Sequence, residues 1–120
     1  MKQPKLVWAT RHKLTKKQAK DLEGFDVVQT AYRYTSWQEA TMDILFAAGG
    51  TPDVVVFVIG RDLSHGFVRH LRSRLPHALL LRAWEIDGEI WYVRMDYVEK
   101  HIVLTPNFDL CAYLAERTAP

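Results

Sequence analysis

The sequence predicts a three-layer α/β domain with a mostly parallel sheet between helices. Three observations carry that expectation. Val54-Val55-Val56-Phe57-Val58-Ile59 is an unbroken apolar, mostly β-branched run, and such a run needs cover on both faces, as a central strand of a parallel sheet has. Segments that read as strands alternate with segments that read as helices before and after it. Asp87-Gly88 then gives a two-residue hairpin signal between flanks rich in aromatic and branched residues.

Taken in order, Leu6-Val7-Trp8-Ala9 reads as a short first strand ending at Thr10-Arg11-His12. Thr15 and Gln18 form a T-x-x-Q capping box, which predicts a helix from Lys16 to Leu22 stopped by Gly24. Phe25 to Thr30 is the second strand. Ser36 and Glu39 repeat the capping pattern ahead of a helix from Trp37 to Ala48, with Ala40, Ile44, Leu45 and Ala48 on one stripe. Gly49-Gly50-Thr51-Pro52 ends that helix. The third strand runs Val54 to Ile59, and a third helix begins near Ser64. It buries Phe67, Leu71 and Leu75 and ends at Pro76.

Leu79-Leu80-Leu81 opens a fourth strand, and Leu81 to Ile86 with Glu89 to Met95 make an antiparallel hairpin appended to the parallel core. His101 to Leu104 is a further strand. Asn107 or Asp109 caps a last helix through Leu110, Tyr113 and Leu114. With right-handed crossovers the order gives one Rossmann-like domain over residues 1–120, with an α+β sheet of mixed order as the competing architecture.

Composition sets the bounds. A chain of 120 residues with 48% hydrophobic and 25% charged content is an ordinary globular domain with a core of useful size. A formal charge of +2 does not argue for duplex nucleic acid or for a membrane surface. The basic residues are uneven: Lys13, Lys16, Lys17 and Lys20 crowd one region, and Arg61, Arg69, Arg72, Arg74 and Arg82 another. They read either as solvated helix faces or as an anion-binding rim. Cys111 is the single cysteine, so no internal disulfide or thiolate zinc site is expected, and a reducing, cytoplasmic setting fits. It reads as a small core residue. Met1-Lys2-Gln3-Pro4-Lys5 lacks a signal-peptide hydrophobic region, and no apolar stretch approaches roughly 18 residues.

Candidate chemistry gathers at strand ends, because ligands of open α/β sheets bind beyond the carboxyl ends of the strands. The first strand offers Thr10, Arg11 and His12; the second offers Thr30, Tyr32 and Arg33; the third offers Gly60, Arg61, Asp62, Ser64 and His65. Histidines, arginines, hydroxyls and a helix start are the parts of a phosphate or polar nucleotide site. His12 and His65 are the candidate proton carriers, and Arg61 and Arg11 the candidates to stabilise phosphoryl charge. No cofactor and no metal are expected: H-E-x-x-H is absent, and so are G-x-x-x-x-G-K-[ST] and G-x-G-x-x-G. Trp84, Trp91 and Tyr92 on the hairpin read as a core seal or a partner contact.

Lys5-Leu6, His12-Lys13-Leu14-Thr15, Gln18 and Asp21-Leu22, followed by Asp53-Val54-Val55-Val56 to Gly60 and by Asp87-Gly88, resemble the small CRISPR-associated, CARF-related stand-alone ring nucleases. The resemblance implies a homodimer that binds cyclic oligoadenylate across its two-fold, with Thr10, His12, Arg61 and Ser64 lining the pocket, and metal-free cleavage of that ligand as a second expectation. Thr10-Arg11-His12 and Ser64-His65-Gly66-Phe67-Val68-Arg69 also look like the two histidine motifs of histidine phosphatases, although Lys13 stands where that family has a glycine. A non-enzymatic interaction module using the aromatic hairpin is the remaining reading.

Overall fold

The computed structural model describes residues 3–9, 15–30, 36–51, 53–57 and 65–118. Six strands and four helices appear in it: β1 (Lys5–Trp8), α1 (Lys16–Asp21), β2 (Asp26–Gln29), α2 (Trp37–Ala48), β3 (Val55–Phe57), α3 (His65–Arg74), β4 (Leu79–Ile86), β5 (Glu89–Val98), β6 (His101–Thr105) and α4 (Leu110–Thr118). The strands form one mixed sheet in the order β2-β1-β3-β4-β5-β6. β1 pairs in parallel with β2 and β3, and β3 with β4; β4–β5 and β5–β6 are antiparallel.

Apolar residues on successive strand positions go to opposite faces. Val7, Val54, Val56, Leu80 and Met95 join Ala40, Ile44 and Ala48 of α2 and Phe67, Val68 and Leu71 of α3 in one buried cluster. Leu6, Trp8, Val55, Leu79 and Leu81 join Leu22, Phe25 and Leu110 in a second. Val54, Val55 and Val56 are therefore fully buried whichever way they point, which is the cover their unbroken apolar run demands.

Local signals explain the helix ends. At α1, Thr15 accepts from the Gln18 amide while the Gln18 side chain accepts from the Thr15 amide, each at 3.1 Å. At α2, Ser36 Oγ accepts from the Glu39 amide, and Gly49 closes the helix at φ 60°, a conformation glycine adopts without steric cost. Lys5 Nζ also reaches the Ala47 and Ala48 carbonyls, placing a cation at the negative end of α2. Asp109, rather than Asn107, caps α4, its Oδ1 accepting from the Ala112 amide at 2.9 Å.

Several expectations need correction. α1 ends at Asp21 with Leu22 as its cap, and Gly24 is not the stop. A Cβ at Gly24 would instead run into the Leu114 side chain, so this glycine lets α4 lie close on the α1–β2 turn. Cys111 is exposed, not a core residue. Leu110, Tyr113 and Leu114 form the inward face of α4, and the residue after Leu110 points away from it. Val58, Ile59 and the predicted start of the third helix at Ser64 lie outside the described residues.

The Asp87-Gly88 turn has φ of 50° and 80° and brings Ile86 opposite Glu89. β5 continues past Met95 to Val98 and turns again at Glu99-Lys100 into β6, with Val98 opposite His101. Glu99 and Lys100 also have positive φ, 50° and 68°, without a glycine to make that easy. Replacing Glu99-Lys100 by Asn-Gly is expected to raise unfolding stability by about 1 kcal/mol. Urea denaturation of the double variant checks this.

β5 is tied to α1 by Tyr92, whose hydroxyl donates to Asp21 Oδ2 at 2.7 Å; Lys17 Nζ holds the same oxygen at 3.1 Å. Burial, then the hydrogen bond to Asp21, raise the Tyr92 hydroxyl pKa well above its usual value near 10. The folded state thus keeps this proton where the unfolded chain releases it. The associated stability is complete below about pH 10 and is lost as pH rises through the folded-state pKa. Tyr92→Phe is expected to cost about 1 kcal/mol at neutral pH. Between pH 9 and pH 11 the variant should lose less urea stability than the parent, and an equal loss in both would contradict the assignment.

Candidate functional site

The sheet order fixes where strand ends meet. From β1 the chain goes to β2 on one side and later returns to β3 on the other, so β1 and β3 are parallel neighbours, with Leu6 beside Val55 and Trp8 beside Phe57. A crevice opens at such a reversal, outside the carboxyl ends of the two strands. Among the predicted site residues, Thr10, Arg11, His12, Arg33, Gly60, Arg61, Asp62 and Ser64 lie outside the described residues. In the chain, the first three follow directly on β1 and its neighbour Ala9, and the last four follow β3.

His65 is described, as the first residue of α3. Its Nε2 lies 2.9 Å from the Lys100 carbonyl, and its ring meets Tyr97 edge-on with centroids 5.0 Å apart. A carbonyl only accepts, so Nε2 carries the proton of this contact. The contact ties the start of α3 to the β5–β6 turn, which by register lies past the amino end of β4, so His65 does not join the carboxyl ends of β1 and β3 as the sequence predicts.

Beyond Leu81, the last β4 residue in register with β3, Arg82 and then Trp84 continue the β4 face that carries Leu80. Val93 stands opposite Arg82, and Trp91 opposite Trp84. The Arg82 guanidinium sits 5.4 Å from the Trp84 ring centre, a cation–π distance. Among the described residues, Arg82 Nε and Trp91 Nε1 are both buried without a hydrogen-bond partner, and burial lowers the Arg82 pKa from its usual value. Tyr92 lies on the opposite face, next to α1, so the three hairpin aromatics do not form one surface.

Sequence reading placed Arg82 only in a general basic group. A sharper signal was present: in Leu80-x-Arg82-x-Trp84 the period of two puts a cation on the same face as a core leucine.

A polar cleft of about 460 Å³ lies elsewhere, beside the amino ends of β3 and β4, with Asp53, Arg72, His77, Arg94, Asp96 and Arg117 on its walls. Much of its charge is committed to holding the fold. Arg117 pairs with Asp53 at 2.6 Å. Arg72 Nη1 donates to the Leu75, Pro76 and Ala78 carbonyls, and Arg72 Nε lies 3.1 Å from Asp96 Oδ1, close enough for ion pairing but off-line for a hydrogen bond.

Among the described residues no group of three or more His, Cys, Asp or Glu is placed to hold a metal ion, and no helix is long and apolar enough to cross a membrane. No protein-family model matches the chain, and no curated protein matches it in sequence.

Proposed function

We propose that this chain is a Rossmann-like, CARF-related domain that binds a cyclic oligoadenylate at the carboxyl ends of β1 and β3 and cleaves it without a metal. The observation that carries the reading is the strand order: the two strands that precede the histidine- and arginine-bearing segments are parallel neighbours at a reversal of the sheet. The resemblance of His12-Lys13-Leu14-Thr15 and of the segment from Asp53 to Gly60 to small ring nucleases supplies the ligand class. In this reading two copies face each other across a two-fold, and each contributes one such edge to a symmetric ligand.

The chemistry is an internal displacement. The ribose 2′-oxygen attacks its adjacent phosphorus, a new 2′-O–P bond forms, and the P–O5′ bond breaks. The 2′-hydroxyl proton goes to a base, and the departing 5′-oxygen takes a proton. His12 is the candidate for the base, because His65 is held at the β5–β6 turn, beyond the amino end of β4 and away from this edge. Arg61 and Arg11 stabilise the charge that builds on phosphoryl oxygen, and Thr10, Arg33, Gly60, Asp62 and Ser64 position the ligand.

The test is incubation with cyclic tri-, tetra- and hexa-adenylate in EDTA, followed by chromatography. Linear products ending in a 2′,3′-cyclic phosphate are expected from at least one ring size. Complete recovery of all three rings would refute cleavage.

A further inference from the structure

Among the described residues, Arg82 Nε and Trp91 Nε1 are two buried hydrogen-bond donors with no acceptor. Buried donors left unmatched are costly, and the great majority in folded proteins find partners. Guanidinium and indole nitrogens are donors only, so what completes this pair must be an acceptor. The two residues are diagonal neighbours on one face of the β4–β5 pair, since Arg82 faces Val93 and Trp84 faces Trp91. Diagonal positions are roughly 7–8 Å apart, within reach of a shared ligand for side chains of this length.

Trp84 holds the guanidinium from its ring face, at 5.4 Å, which fixes the orientation of the charge before any ligand arrives. The group also sits in a suitable place. Arg82 is the first β4 residue past the register pair Phe57–Leu81, on the strand next to β3 and at the same end of the parallel strands as the proposed crevice.

We infer that Arg82, Trp84 and Trp91 form an anion subsite on the β4 side of that crevice, in which Arg82 and the Trp91 indole N–H donate to oxygens of one phosphoryl group of the ligand. The inference rests on the proposed ligand crevice but not on the identity of the ligand. Any phosphorylated compound with two accessible phosphoryl oxygens satisfies the donors. In a cyclic oligoadenylate, the group gripped is a backbone phosphate.

The experiment is a titration followed by tryptophan fluorescence, with two separate probes, inorganic pyrophosphate and cyclic tetra-adenylate. It uses the parent chain, Arg82→Met, Arg82→Lys and Trp91→Phe, and each variant is first checked for a cooperative thermal transition. Arg82→Lys and Trp91→Phe keep most of the side-chain volume, so they remain informative if Arg82→Met does not fold. Loss of the charged donor is expected to weaken binding by about 10- to 100-fold in Arg82→Met, loss of the guanidinium geometry by about 3- to 10-fold in Arg82→Lys, which keeps the charge, and loss of the indole donor by about 3- to 10-fold.

Parent-like affinity for cyclic tetra-adenylate in all folded variants overturns the subsite and leaves the proposed function standing. Arg82-dependent binding of pyrophosphate, with no binding of the cyclic ligand, upholds the subsite and counts against the proposed function. If the parent binds neither probe at millimolar concentration, both fall.

Discussion

His12→Ala is expected to lower turnover of cyclic oligoadenylate by about 10²- to 10⁴-fold, the range that one positioned acid or base contributes. Arg61→Ala is expected to cost about 10²- to 10³-fold, as loss of a group that stabilises transition-state charge does. The double variant should fall short of the product of the two, because groups that act on one displacement are not additive. The decisive comparison is between kcat and KM. Removal of a proton carrier lowers kcat with little change in KM, whereas removal of a ligand-gripping arginine affects both. Full activity in the double variant would show that the chemistry does not lie at these strand ends.

The second large effect concerns stability. Arg72 joins the end of α3 to the start of β4 and to β5. One nitrogen serves three carbonyls, at 3.2, 3.0 and 2.9 Å, and Nε faces Asp96. The side chain is only 17% exposed, so solvent screens little of this interaction. Arg72→Met keeps the length of the stem but leaves the carbonyls and the Asp96 carboxylate without a cation. The expected loss is about 2–4 kcal/mol, or roughly 10 °C in melting temperature for a domain of this size. A combined Arg72→Met and Asp96→Asn variant should recover part of that loss, because it no longer strands a carboxylate. No recovery would show that the carbonyl contacts, not the ion pair, carry the effect.

These residues also show what sequence can and cannot reveal here. The capping hydroxyls of Thr15 and Ser36 and the Gly49 terminus are local devices whose meaning lies within a few residues, and the helices begin and end where they indicate. The Val54-Val55-Val56 run declared two-sided burial for the same reason. Glu99-Lys100 escaped notice because neither residue favours a left-handed turn. The pairing of β5 with β6, a tertiary matter, imposes that conformation on them.

Arg72 looked like one more surface cation, since nothing local marks an arginine whose partners are the carbonyls of the following turn and a carboxylate on a later strand. Cys111 was misjudged from its apolar neighbours, because the direction in which α4 faces is set by Leu110, Tyr113 and Leu114 together. For the site, the sequence supplied residue types and strand ends, but the adjacency of β1 and β3 comes from the order of the sheet.

The central claim is that a cyclic oligoadenylate binds at the edge where β1 and β3 end. Isothermal titration of the chain with cyclic tetra-adenylate in EDTA tests it most directly. The account predicts saturable binding of one ring per two chains, weakened at least about tenfold by Arg61→Ala. Absence of binding at millimolar ligand, or binding that Arg61→Ala leaves unchanged, would contradict it.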